Sequence, residues 1–353
     1  MVNNAKQAPQ TTDKTGSPTF TVALDTMGGD FGPSETVPGA IKAARDLGVD
    51  VLLVGDEAAV QREMDRCNAD GLSVHLVPSQ GVIEETDHPL QAMRDKPRAS
   101  VVEAAKLVRA GQAQAMVSMG STGATMATAA LVYGLLEGVD RPAIGGPFLA
   151  PLSNAIILDL GSNVDCRPAQ LLGFGAIGVA FSRRILGVQD PRVGILSVGA
   201  EEGKGNRQVK DAYQLFKQSS LNFVGNIEGI DVFQDKADVI VCDGFVGNVL
   251  LKFAEGLGMA IARRLAGAAS AGLPPQAMQK LGGELSAMTN IVELGGGGPL
   301  FGVNGIAVVG HGRSRAASIA NGIALAKKAT DLGLVEAIKQ ELLAIQPQLK
   351  ARA

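Results

Sequence analysis

Hydrophobic residues fall in short runs that alternate with longer stretches of helical periodicity along nearly the whole chain. Apolar, β-branched-rich runs at 20–24, 51–54, 74–77, 115–118, 155–158, 193–198, 222–224, 239–242 and 306–309 predict strands. Several are apolar throughout instead of alternating, the pattern of strands covered on both faces. Between them, windows at 100–109, 122–136, 170–186 and 247–256 place apolar residues at helical spacing. Strand and helix taking turns in this way predicts an α/β protein, a three-layer α/β/α sandwich on a mostly parallel sheet. Beyond Asp331, Leu334, Ile338, Leu342 and Ile345 recur at helical spacing and predict a last helix packed on the core.

One segment breaks the rhythm. Residues 255–291 hold two helical patterns around Gly272-Leu273-Pro274-Pro275, with no strand between them. This predicts a helical hairpin leaving the sandwich, either as a dimerisation arm or core cover, or as a tip for a membrane or partner. The last option draws on Met259, Ile261, Leu265 and Leu273 beside Arg263 and Arg264. Residues 1–19 are polar, without the apolar stretch of a signal peptide, and read as a disordered tail. The expected organisation is that tail, one α/β/α domain over 20–346 containing the 255–291 hairpin, and a short tail at 347–353. Two uncharged stretches, 110–136 and 142–158, read as buried core. Polar residues thread the first, and Pro147 and Pro151 cut the second.

Composition narrows the function. A net charge of −3, no Trp and 4% aromatic residues supply neither a basic field nor stacking platforms, which argues against nucleic-acid binding. Cys67, Cys166 and Cys242 are far apart and form no C-x-x-C pair, so neither a zinc site nor a disulfide framework is expected, and a cytoplasmic setting is the simplest. Glycine is in excess, with 45 residues in 353, and the excess is clustered at the ends of predicted strands. Loops there are where open parallel sheets bind ligands.

Asp25-Thr26-Met27-Gly28-Gly29-Asp30 closes the first strand, and Pro33 opens a helix behind it. Its glycines offer backbone N–H donors to an anion, while Asp25 and Asp30 organise the loop or meet the substrate. Ser118-Met119-Gly120-Ser121-Thr122-Gly123 has the same strand-to-helix character, with Ser121 and Thr122 serving as anion ligands or as ordinary helix caps. Asp159, Asn163 and Asp165, in the stretch 158–166, orient a substrate, hold a cation through oxygen, or brace the loop. Lys204 lies between Gly203 and Gly205, ahead of Asn206, and can neutralise a phosphate or an oxyanion. Asp243, Gly244 and Asn248 mark a further strand end, and His311, between Gly310 and Gly312, is a candidate donor or proton carrier. No Ser–His–Asp order, H-E-x-x-H or Walker A pattern occurs, so no covalent nucleophile is indicated. No metal or cofactor is expected.

Together these blocks resemble, in order, the phosphate acyltransferase (PlsX) family of bacterial phospholipid synthesis. The stretch 25–30 resembles its D-x-M-G-G-D opening, TDHPLQAMR at 86–94 its T-D-x-P-x-x-A-x-R, and 158–166 its L-D-L-G-A-N-V-D-C. EEGKGN at 201–206, GNIEG at 225–229, VCDGFVGNVLLK at 241–252, and 297–303 followed by His311-Gly312 are similar to later blocks. Ser121 stands where the family has Asn, Ser162 where it has Ala, and Gly199-Ala200 where it has Gly-Glu.

The resemblance implies transfer of a fatty acyl group from acyl carrier protein to inorganic phosphate. It also implies a homodimer of the isopropylmalate dehydrogenase/phosphotransacetylase fold type, a glycerol-3-phosphate acyltransferase downstream, and weak peripheral membrane contact. Lys204, His311 and Asn248 then carry the catalytic roles. Asp25, Gly28, Gly29, Asp30, Gly120, Ser121, Thr122, Gly123, Asp159, Asn163, Asp165, Asn206, Asp243 and Gly244 form the substrate site. The rival readings are a short-chain enzyme using coenzyme A thioesters, a decarboxylating dehydrogenase, which would need a metal-binding Asp cluster and a nicotinamide, and a non-catalytic membrane scaffold.

Overall fold

The computed structural model describes residues 19–148, 155–268, 276–277, 280–284 and 296–350. The chain forms two compact units, one of residues 1–134 with 295–331, the other of 135–294 with 332–353. In chain order the first unit opens with β1 (Thr21–Asp25), α1 (Pro33–Leu47), β2 (Asp50–Gly55), α2 (Glu57–Cys67), β3 (Val74–Pro78), α3 (Pro89–Asp95), α4 (Ser100–Arg109), β4 (Ala115–Ser118) and α5 (Thr122–Tyr133). The second follows with β5 (Ala143–Pro147), β6 (Ile156–Leu158), α6 (Pro168–Phe181), β7 (Val193–Leu196), α7 (Arg207–Lys217), β8 (Phe223–Ile227), β9 (Val239–Val241) and α8 (Gly244–Ala268). The chain returns to the first unit for β10 (Gly298–Phe301), β11 (Ile306–Val309) and α9 (Ala316–Asp331). It ends in the second with α10 (Leu334–Ala344) and α11 (Gln346–Lys350).

The first unit orders its strands β3-β2-β1-β4-β11-β10, parallel except for β10. The second orders them β5-β6-β9-β7-β8, parallel except for β5. This is the mostly parallel α/β architecture the alternation predicts. The strands with continuous apolar runs are the most deeply buried: Val51, Leu53, Val54, Ile156, Ile157 and Leu158 are fully inaccessible. Each such side chain contributes roughly 1.5–3 kcal/mol by leaving water. Helix α6 is apolar on every side and is buried from Leu171 to Phe181, as a helix packed on all faces must be. The spacing of Leu334, Ile338, Leu342 and Ile345 also corresponds to burial, since all four are core residues.

Two strands, β5 and β10, were absent from the sequence reading. Both are short, carry Pro147 or Pro299 with glycines, and run antiparallel to their partners, so they lack the apolar run that marks the others. The run expected at 222–224 becomes β8, Phe223–Ile227, whose register against β7 shifts. Helix α8 is continuous from Gly244 to Ala268, so the first half of the expected hairpin is the end of a longer helix. The turn at 272–275 lies outside the described residues, as do residues 1–18 of the expected N-terminal tail. Helical structure reaches Lys350 through α11. Among the described residues, α8 alone has a stretch (Gly244–Leu265) long and apolar enough to cross a membrane by length and composition.

Candidate functional site

In the first unit, β1, β4 and β11 are parallel neighbours, and their carboxyl ends lie at one edge of the sheet. Asp25 is the last residue of β1 and is buried. Its Oδ1 accepts the N–H groups of Met27 and Gly28, both at 3.2 Å, and its Oδ2 accepts the Ser118 hydroxyl at 2.7 Å. The Ser100 hydroxyl also bonds to it. Burial pushes the Asp25 carboxyl above its ordinary range, against the opposing pull of these hydrogen bonds. Ser118 Oγ in turn accepts the Gly120 N–H at 3.1 Å, tying the loop after β4 to the loop after β1. The two loops touch so closely that a Cβ on Gly28 would lie 2.6 Å from Gly120 N. The loop after β11 joins them through Asp30 N–H donating to the Gly312 carbonyl at 2.8 Å. The residues picked from the sequence between Asp25 and Gly123, together with the loop of half-buried His311, thus form one cluster.

Following each N–H group shows what this cluster can bind. Those of Met27, Gly28, Asp30 and Gly120 all go to protein acceptors, so Gly28, an expected phosphate donor, serves Asp25 instead. Ser121 caps α5, its Oγ accepting the Ala124 N–H at 3.3 Å. The Asn usual in the resembled family would cap equally well. Among the described residues, the N–H groups of Gly29, Thr122 and Gly123 meet no protein acceptor. Thr122 and Gly123 begin α5, where free N–H groups and the helix dipole favour an anion.

The second unit repeats the plan with different partners. Asp159 follows β6 and is fully buried. Its Oδ1 accepts the N–H groups of Gly161 at 3.1 Å, Ser162 at 3.0 Å and Ile144 at 3.4 Å. Its Oδ2 accepts both the backbone N–H and the side-chain amide of Asn163, each at 2.8 Å. Burial again drives the carboxyl up, outweighing the hydrogen bonds. Donors surround both oxygens, so Asp159 braces the loop and presents no oxygen to a cation. Ser162 Oγ shares the Ile144 N–H at 3.0 Å, a bond an alanine there cannot make.

Asp243 caps α8 by accepting the Val246 N–H at 2.8 Å, and Gly244 N–H donates to the Asn163 carbonyl at 2.7 Å, joining the loops after β6 and β9. Asn248, exposed on α8, packs over Gly161, while Asp165 is exposed on its loop. Burial, reinforced by Asp159 and Asp243, pushes the Cys166 thiol up to about 12, and the same causes raise Cys242. Neither is a thiolate nucleophile.

Lys204 and Asn206 lie on the loop after β7. Asn206 caps α7, accepting the Val209 N–H at 2.9 Å. Gln208 Nε2, in the first turn of α7, donates to the Cys166 carbonyl at 2.6 Å and links the start of that helix to the loop after β6. Lys204 is exposed and forms no ion pair among the described residues. Its stem folds back over Gly199, where a Cβ would lie 2.9 Å from Lys204 Cγ. The stem of Lys204 thus rests on its own loop. Ser100 and Ser118, which bond to Asp25, carry no mark of that role in the sequence beyond the place of Ser118 in the block 118–123.

Comparison with known proteins bears on what these loops serve. A family profile described as "Fatty acid synthesis protein" matches residues 20–337. The phosphate acyltransferase of Desulforamulus reducens is 44% identical over 91% of this chain and 97% of its own length. The chain belongs to the phosphate acyltransferase (PlsX) family. Another member, from Thermosynechococcus vestitus, is 43% identical over 93% of this chain and 97% of its own. Among solved structures, the EutD phosphotransacetylase from Staphylococcus aureus is similar in fold, with a TM-score of 0.55 at 18% identity over 90% of this chain and 94% of its own. The 4-hydroxythreonine-4-phosphate dehydrogenase from Klebsiella pneumoniae gives 0.54 at 14%, over 88% and 99%. Phosphate acyltransferase membership and this fold agree with the sandwich type read from the sequence.

Proposed function

We propose that the protein transfers a long-chain fatty acyl group from the thioester of acyl carrier protein to inorganic phosphate, giving an acyl phosphate for phospholipid synthesis. The observation that carries this reading is the set of N–H groups at Gly29, Thr122 and Gly123 without protein acceptors, in a chain whose relatives are named for phosphate acyl transfer. A phosphate oxygen attacks the thioester carbon, a tetrahedral oxyanion forms, and the C–S bond breaks to release the carrier thiol once it is protonated. Phosphate supplies its own nucleophile, so the protein has to aim and desolvate it and to stabilise the oxyanion.

In this reading the N–H groups of the first unit hold phosphate. Lys204 neutralises phosphate or oxyanion charge, and His311 donates a hydrogen bond or carries the proton. Asn206, Asp243 and Asn248 fix their loops and the substrate. An acidic carrier protein is met by Arg263, Arg264 and Lys280, all exposed. The outer residues of α8, with Phe245 62%, Val249 55% and Phe253 66% exposed, support a second copy or a bilayer surface as a neighbour. Homodimerisation, weak peripheral membrane contact of a cytoplasmic protein, and hand-over to a glycerol-3-phosphate acyltransferase complete the reading.

Phosphate-dependent release of free thiol from acyl carrier protein is the deciding assay. Equal or better turnover of a short-chain coenzyme A thioester would favour the coenzyme A reading, and no release from either donor the scaffold reading. Lys204→Ala is expected to lose about 100-fold in kcat/KM; near-normal turnover removes Lys204 from the chemistry.

A further inference from the structure

Asn226 lies on β8, the edge strand of the second unit's sheet, and is 5% exposed. Against β7 the register runs Val193 to Phe223 and then Gly194 to Gly225, so Val224 is passed over as the extra residue of a bulge. Gly225 has φ +96, a conformation that suits glycine. Bulges of this kind re-aim the side chain that follows them. Here that side chain is Asn226, whose Nδ2 donates to the carbonyl of Glu201 at 2.9 Å across 25 residues of sequence. The same Glu201 carbonyl accepts the Lys204 N–H at 2.9 Å and so closes the turn 201–204. Asn226 therefore grips the carbonyl on which the Lys204 turn hangs. Its Oδ1 is buried and bonds to nothing among the described residues, so the link to Glu201 is the side chain's one hydrogen bond.

We infer that Asn226 is a positioning residue that sets the direction of Lys204 through the Glu201 carbonyl. The inference rests on the proposed role of Lys204. Without the Asn226 bond the turn keeps its own 201–204 hydrogen bond but is released from the sheet edge, and Lys204 reaches its target in only a fraction of the molecules.

The test is a double-mutant cycle on full-length protein, reading kcat and the KM for phosphate with acyl carrier protein thioester as donor. Asn226→Ala is expected to lower kcat about tenfold, the scale of one hydrogen bond, with little change in melting temperature. In a Lys204→Ala background the same change should have no further effect, because residues acting as one unit do not add. Hydrogen exchange of the Lys204 amide, followed by mass spectrometry on residues 199–206, should speed up in Asn226→Ala. If Asn226→Ala proves unstable, the near-isosteric Asn226→Leu, which lacks the donor and leaves no cavity, is put through the same cycle. Full kcat in the Asn226 variant, or an equal loss in both backgrounds, overturns the inference while leaving the role of Lys204 intact. Near-normal activity of Lys204→Ala instead overturns the role of Lys204 and the inference with it.

Discussion

Asp25 and Asp159 are buried carboxylates at the ends of core strands, one in each unit, and each gathers a glycine loop around itself. Their partners differ in kind. Asp25 takes hydroxyls, those of Ser118 and Ser100, as well as N–H groups, while both oxygens of Asp159 face N–H groups alone. A hydroxyl can turn from donor to acceptor, and an N–H group cannot. The Asp159 loop is thus committed to an acceptor at both oxygens, whereas the Asp25 loop tolerates a change of polarity at one. The units also differ in what they leave over. Around Asp25, the N–H groups of Gly29, Thr122 and Gly123 have no protein acceptor; around Asp159, those of Gly161, Ser162 and Asn163 are all taken. The first loop system leaves donors open, as the proposed phosphate role requires, and the second closes on itself.

Substitution should separate the two. Asp159→Asn turns an amide toward N–H donors whichever way it is placed, and should destabilise the protein by about 3 kcal/mol in urea unfolding. A loss below about 1 kcal/mol would break the contrast. Next in size is Gly28→Ala, whose Cβ would meet Gly120 N at 2.6 Å and Gly120 Cα at 2.8 Å. Backbone must move to admit it, at about 2 kcal/mol, and the shift should raise the KM for phosphate.

Smallest is Asp25→Asn, expected to stay within about 1 kcal/mol of the parent at neutral pH because the Ser118 hydroxyl, at Oδ2, can accept from the new amide. Its pH dependence has a definite sign. Burial raises the folded carboxyl above the ordinary 3.8. Between that value and the folded one, the folded state binds more protons than the unfolded chain, so this group's contribution to stability falls as pH rises. Relative to Asp25→Asn, the parent should therefore lose unfolding free energy on going upward from about pH 4. The opposite drift would mean that the hydrogen bonds to Asp25 outweigh its desolvation.

Much of this was legible in the sequence because it is local. The α4 window at 100–109 coincides with the observed helix Ser100–Arg109, since both its ends and its apolar face are written in adjacent residues. Strands β5 and β10 were not legible. Gly145, Gly146 and Pro147, or Gly298 and Pro299, look like turns, and they become strands only because a neighbour supplies hydrogen bonds. The same holds in the site. The glycine loops could be named one by one, but the destination of each N–H could not. Gly28 looked like a phosphate donor until its N–H was seen to go to Asp25.

The sequence by itself therefore determined the architecture and the family, because apolar periodicity and collinear motifs are properties of neighbouring residues. Only the tertiary structure decided which donors remain free, that Asp159 is saturated, and that Asn226 holds the Lys204 turn. Those facts depend on pairs far apart along the chain, Asp25 with Ser118 and Asn226 with Glu201. Hydrogen bonds are satisfied or left open by where the folded backbone ends up, and no local spacing records that.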